Sequence, residues 1–171
     1  MHSLMKRLFI VLACATALFV TGCSKKPKEV PEAVKREAAS LLSEAQFAMS
    51  IREFSRAEEL IQRALKLQDD VPEYWVSLGM ARRKQDDKDG ARKAYKKALG
   101  LHVDRYKADK KPEELAQQAF VLALLGNTDE ALKLLDKGLK EYPDSAVMKK
   151  MADPRGLPRT FQTAEFKALT L

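Results

Sequence analysis

The sequence predicts an all-α fold, a stack of about three helix hairpins closed by a C-terminal capping helix, and three observations carry that prediction. Helix-forming Ala, Leu, Lys, Glu and Arg dominate, and only 7 Gly and 7 Pro interrupt 171 residues, so long helices are favoured over sheet. Apolar and small side chains recur at helical spacing in segments separated by polar turns. The pattern also returns at a fixed period: Ala57, Ile61, Ala64 and Leu65 stand 34 residues before Ala91, Tyr95, Ala98 and Leu99. Self-similarity at this period marks stacked helix pairs, and the length suffices for one domain with a core.

Taken in order, residues 1–22 carry Lys6 and Arg7 and then an apolar run over 8–20. A bilayer-spanning helix needs about twenty apolar residues, so this shorter run reads as a secretory signal peptide. Met1 or Met5 could serve as its start. Val20, Thr21, Gly22 and Cys23 resemble the lipobox of bacterial lipoproteins. That resemblance implies cleavage before Cys23, a diacylglycerol on its sulfur and, with Ser24 following, placement at the outer membrane facing the periplasm. Two or three acyl chains make such attachment stable where one does not. The alternative is an ordinary signal cut after Ala17 or Gly22, leaving Cys23 free. Cys14 leaves with the signal in either case, so the mature chain keeps one cysteine and no disulfide. Residues 23–31, with Lys25, Lys26, Lys28, Pro27 and Pro31, read as the lipidated tether.

The helical domain occupies 32–153. Its clearest hairpin is 72–105, where Trp75, Leu78, Gly79 and Arg82 line one helix, an Asp/Gly-rich turn follows at 86–90, and Ala91, Tyr95, Ala98 and Leu99 line the second. A small residue where two helices cross lets their backbones approach, and Trp75 and Tyr95 fill the space on either side. Unit one, 38–71, is weaker in its first helix, where Leu41 and Ala45 fit and Glu44 does not. Helix formers run unbroken over 31–50, so that helix starts well before the repeat, and Ser55 with Glu58 reads as a capping box opening the second helix. Unit three, 112–145, repeats the pattern at Leu115, Ala119, Ala131, Leu135, Gly138 and Leu139, with Gly126, Asn127 and Thr128 marking its turn. The six extra residues at 106–111 are polar and read as a longer loop, or else as a prolongation of the preceding helix. Asp144 is expected to cap a terminal helix over 144–152 that covers the last apolar face. In the tail, 154–171, Pro154, Gly156 and Pro158 break the chain before Phe161, Ala164, Phe166 and Leu169. A small docked helix and a disordered end are both open, although two phenylalanines resist full solvation.

These residues resemble a tetratricopeptide repeat protein. Trp75, Leu78, Gly79, Ala91, Tyr95 and Ala98 stand where that family's pattern expects them, Arg82 stands where a tyrosine is usual, and Pro143 closes unit three as the family's proline does. The resemblance covers roughly two thirds of the chain and implies a short right-handed α-solenoid whose leading helices line a concave groove. The family's groove positions fall here on Leu42, Gln46, Met49, Val76, Met80, Arg83, Lys84, Ala116, Phe120 and Leu124, flanked by Ala39, Ser50, Glu73, Glu113 and Ala123. An apolar stripe results, with Arg83 and Lys84 as its cationic edge. The Lys and Asn with which chaperone adaptors of this family grip a terminal carboxylate are replaced by Leu42, Val76 and Ala116, and by Gln46, Met80 and Phe120. Such a groove favours an amphipathic helix or an extended apolar segment as ligand, unless the leading helix or the 161–169 tail already fills it.

Chemistry has few footholds. The formal net charge of +7 is spread over helix faces where Lys and Arg alternate with acids and lack interleaved aromatics, which argues against nucleic acid. No phosphate loop, zinc spacing or nucleotide fingerprint appears, so no cofactor and no metal is expected. His102 reads as a solvated or capping residue at a helix end. The acid pairs Asp69 and Asp70, Asp86 and Asp87, and Glu113 and Glu114 read as complements to helix dipoles. The expectation is therefore a non-enzyme, a membrane-anchored scaffold of the cell envelope that holds a peptide or helix of an unidentified envelope protein. The alternatives are a pilotin-like assembly chaperone for an outer-membrane or pilus subunit and a regulatory subunit of a cell-wall enzyme.

Overall fold

The computed structural model describes residues 30–171, so the signal, Cys23 and most of the tether lie outside the described residues. Within them every regular element is a helix: α1 Glu32–Ser50, α2 Phe54–Leu67, α3 Pro72–Lys84, α4 Lys88–Asp109, α5 Pro112–Leu124, α6 Thr128–Glu141, α7 Ala146–Ala152, α8 Leu157–Thr160 and α9 Ala164–Lys167. Helices α1/α2, α3/α4 and α5/α6 form three hairpins, each stacked on the next, with α7 packed against α5 and α6 as the cap. The arrangement is a short α-solenoid of the kind the 34-residue period predicts. No described helix is long and apolar enough to cross a membrane.

Alanine sets the spacing between helices. Ala38, Ala45 and Ala48 of α1, Ala57 and Ala64 of α2, Ala81 of α3, and Ala91, Ala94 and Ala98 of α4 are all at most 1% exposed. With no side chain beyond Cβ, these positions let the axes close to the short end of the usual separation, while Leu, Ile and Tyr fill what remains. Gly79 goes further, since a Cβ there would collide with the Tyr95 ring. The apolar interior divides into two parts. One joins the first two hairpins through Leu41, Leu60, Ile61 and Leu78, and the other joins the last two hairpins to the cap and tail through Tyr95, Leu124, Leu135, Met148, Phe161 and Phe166.

The three hairpin turns share one construction. Arg52, Asp86 and Gly126, at equivalent positions, all take left-handed backbone, with φ of 66°, 65° and 85°. In each turn the next residue's amide closes the helix by donating five residues back, Glu53 to Ala48, Asp87 to Arg82 and Asn127 to Leu122, at 2.9 Å each. This is the Schellman closure, which favours glycine at the left-handed position. Pro72 and Pro112 open α3 and α5 at first-turn sites, where a missing amide proton costs nothing.

Four sequence expectations are corrected, and one open alternative is decided. Of the two readings of 106–111, the prolonged helix holds for 106–109: α4 runs 22 residues and ends where Lys110 turns left-handed. The added length is anchored by Tyr106, whose hydroxyl donates to Glu141 at 2.7 Å and meets the Tyr142 hydroxyl at 3.0 Å. The polar composition of this segment hides a helical face, His102 and Tyr106 one turn apart. Ser55 and Glu58 form no capping box, because the N-cap of α2 is Glu53, two residues before Ser55, and makes no side-chain cap. Instead Ser55 donates to Gln85, and Glu58 accepts from Arg82 and Gln85 at 2.8 Å each, which ties unit one to unit two. The turn of unit two is shorter than 86–90: Asp87 caps α4 by accepting from the Gly90 amide, and Gly90 lies inside the helix. The terminal helix is capped by Ser145, whose hydroxyl accepts from the Met148 amide, rather than by Asp144. His102 is not a solvated end residue but a buried one, 1% exposed, and its Nδ1 lies 2.6 Å from Glu114 Oε2. Glu114 thereby serves as a cross-helix acceptor between α4 and α5.

Candidate functional site

Helices α1, α3 and α5 lead the three hairpins, and their family groove positions fall in two places, at an open hollow between α1 and α3 and in the apolar group where the tail packs on α5. At the first place Leu42, Gln46 and Met49 of α1, together with Ser77 and Met80 of α3, line an open hollow of about 200 Å³ floored by Ala45 and Ile61. Leu42, Met49 and Met80 are half-buried and Gln46 is exposed. The hollow exists because Ala45 and Ile61 pack below the surface and the small Ser77 of α3 leaves space beside Met80. Its chemistry is that of an apolar anchor site with two neutral polar rims, and it holds no fixed charge.

The second place is occupied by the chain itself. After α7 the chain turns back through α8 and α9, burying Phe161 and Phe166 to 3% and 5% exposure. The two rings lie 5.1 Å apart, and Phe166 meets Phe120 of α5 edge-on at 5.5 Å, a favoured arrangement for aromatic quadrupoles. Val76 and Met80 pack against the same apolar group. Ala116 and Leu124, groove positions by sequence, are 2% and 0% exposed. A second hollow, about 270 Å³, remains between Ala116, Gln117 and Phe120 of α5 and Met151 and Leu157 above them.

The end of the tail is held through its main chain. Arg83 Nε donates to the Thr170 carbonyl at 2.6 Å, the Tyr95 hydroxyl donates to the Leu169 carbonyl at 2.9 Å, and the Leu171 amide donates to the Leu124 carbonyl at 3.1 Å. Arg83 is therefore not a free cationic edge; it is engaged with the tail and with Asp86 at 3.3 Å. Lys84 is exposed beside it. Tyr95 belongs to a second helix of its pair and reads from sequence as packing alone. Because Gly79 lacks a side chain, the ring passes beside α3 and delivers its hydroxyl to the groove side. Burial raises the pKa of that hydroxyl, with the Arg83 guanidinium acting in the opposite sense, so it remains a protonated donor through the neutral range. The pairing of a small residue at Gly79 with an aromatic at Tyr95 was the signal available in the sequence; the direction of the hydroxyl was not.

Among the described residues no cluster of three or more His, Cys, Asp or Glu is placed to hold a metal ion, and His102 pairs with Glu114 between α4 and α5. Buried polar side chains all find partners within the described residues.

Family models described as tetratricopeptide repeat match residues 37–108 and 117–145, together more than half of the chain. The first match spans the α1/α2 and α3/α4 hairpins, and the second spans most of α5/α6. No curated protein matches the chain.

Proposed function

The chain belongs to the tetratricopeptide repeat family, and from that premise we propose that it is a lipid-anchored scaffold of the bacterial cell envelope that holds a partner protein in its concave groove. The observation that carries the binding half of this reading is the open hollow between α1 and α3, rimmed by Leu42, Met49 and Met80. A half-buried apolar pocket on a repeat surface is suited to one or two large side chains of a partner helix or extended segment. The anchoring half rests on the run over 8–20 and on Val20, Thr21, Gly22 and Cys23. A chain tethered at Cys23 through residues 23–31 presents α1 close to the membrane surface and the groove to proteins of the same compartment.

Each half has its own test. Labelled palmitate enters the wild-type protein and not Cys23→Ala, which leaves the membrane fraction; a Cys23→Ala protein that stays membrane-bound refutes the anchor. Affinity capture from cross-linked envelopes recovers a partner with the wild type and loses it with Leu42→Glu, which places a charge in the hollow. Retention of the same partner by Leu42→Glu moves the binding surface elsewhere.

A further inference from the structure

The tail contact has the construction of a bound ligand, even though Phe161 and Phe166 belong to the apolar interior. Helices α8 and α9 are four residues each, far below the length at which a helix holds itself together. Their order comes from docking. The side chains that dock are few and concentrated, Phe161 and Phe166 first, then Leu169 and Leu171 at the end. The final residues are gripped through carbonyl and amide groups of Leu169, Thr170 and Leu171, and main-chain bonds of this kind accept many sequences in the same path. Next to the tail, an apolar hollow remains between Phe120, Met151 and Leu157. The segment also joins the repeat domain through Pro154 and Arg155, both exposed.

We propose that residues 161–171 are a resident occupant of the groove, displaced when a partner presents a segment of the same chemistry: two aromatic and two aliphatic side chains in the order Phe-x4-Phe-x2-Leu-x-Leu. Such a segment places its rings against Phe120 and its last carbonyls toward Tyr95 and Arg83. The inference rests on the reading of the concave surface as the partner site and extends it from the open hollow to the covered half. A tethered occupant competes at an effective concentration on the order of millimolar, and a ligand arriving in trans is weakened by the fraction of molecules in which the tail is closed. The tail thereby sets a threshold for binding. Met80 borders both halves, so a partner seated in the hollow adjoins the end of the tail and can extend under it.

The test uses the full chain and a fluorescent synthetic peptide of residues 157–171, followed by anisotropy. The wild-type chain binds the peptide weakly, and the chain carrying Phe161→Ser and Phe166→Ser binds it at least tenfold more tightly, because its own tail no longer competes. A peptide bearing the same two serines binds neither chain. Equal affinity of the two chains for the wild-type peptide, or absence of binding to the variant, overturns the proposal. Where the double variant loses helical circular dichroism, Leu169→Asp, confined to the end of the tail, is read in its place. It gains at least threefold, and no gain is equally contradictory. Leu42 lies in the half of the groove that the tail leaves open, so a tail that cannot be displaced leaves the capture result with Leu42→Glu standing.

Discussion

At Gly79 the absence of one methyl group decides where a neighbouring hydroxyl goes. The Tyr95 ring occupies the space a side chain would need, and its hydroxyl emerges on the groove side to hold Leu169. Gly79→Ala drives the ring from its place, and overpacking of this kind costs about 1–3 kcal/mol. Urea unfolding of the variant is expected to show that loss together with weaker protection of the tail from proteolysis. The left-handed turns act in the opposite direction. Gly126 adopts its positive φ without strain, whereas Arg52 adopts the same region with a side chain attached. Arg52→Gly removes that strain at an exposed site and is expected to stabilise the chain by about 0.5–1 kcal/mol, read as a rise in Tm. His102 and Glu114 give the reverse. With the imidazole replaced in His102→Leu, the Glu114 carboxylate keeps its 16% exposure without its hydrogen bond, and a loss of about 1–3 kcal/mol follows. The paired change His102→Leu and Glu114→Leu recovers part of it.

At the scale of the element, much of the fold was legible. The 34-residue period locates all six repeat helices, and the Ala, Gly, Trp and Tyr positions of 72–105 give their packing faces directly, because small-against-large crossings are a local property of the sequence. The extended start of α1 was equally plain from the unbroken helix formers over 31–50. Features decided between elements were harder to read. Ser55 and Glu58 match a capping box in spacing, yet Arg82 and Gln85, roughly a repeat away, compete successfully for both. Breaking that bridge with Glu58→Ala is expected to cost about 1 kcal/mol, since the bonds are charge-assisted but partly exposed. A double-mutant cycle with Arg82→Ala isolates the coupling. The length of α4 was hidden for a related reason. Lys107, Asp109 and Lys110 read as loop composition, while the residues that hold the last turn, His102 and Tyr106, find their partners on α5 and at the end of α6.

For the whole molecule, the sequence outlines a groove and leaves its occupancy open. Nothing periodic connects residues 161–171 to the repeats, so the docking of Phe161 and Phe166 on Phe120 arises only when the stack exists to receive them. The consequence is a concave surface of two kinds. Between α1 and α3 it is open and apolar, and over α5 the tail packs on Phe120. On the proposed reading, a partner that uses both places gains from contiguity what it loses in displacing the tail.

Site-specific photo-cross-linking in living cells tests the central claim, that the concave surface is where a partner binds. A benzoylphenylalanine in place of Met49, at the open hollow, is compared with one in place of Lys97, exposed on α4. The account predicts a discrete adduct with one envelope protein from position 49 and none from position 97. An adduct from position 97 alone, with position 49 silent, contradicts it.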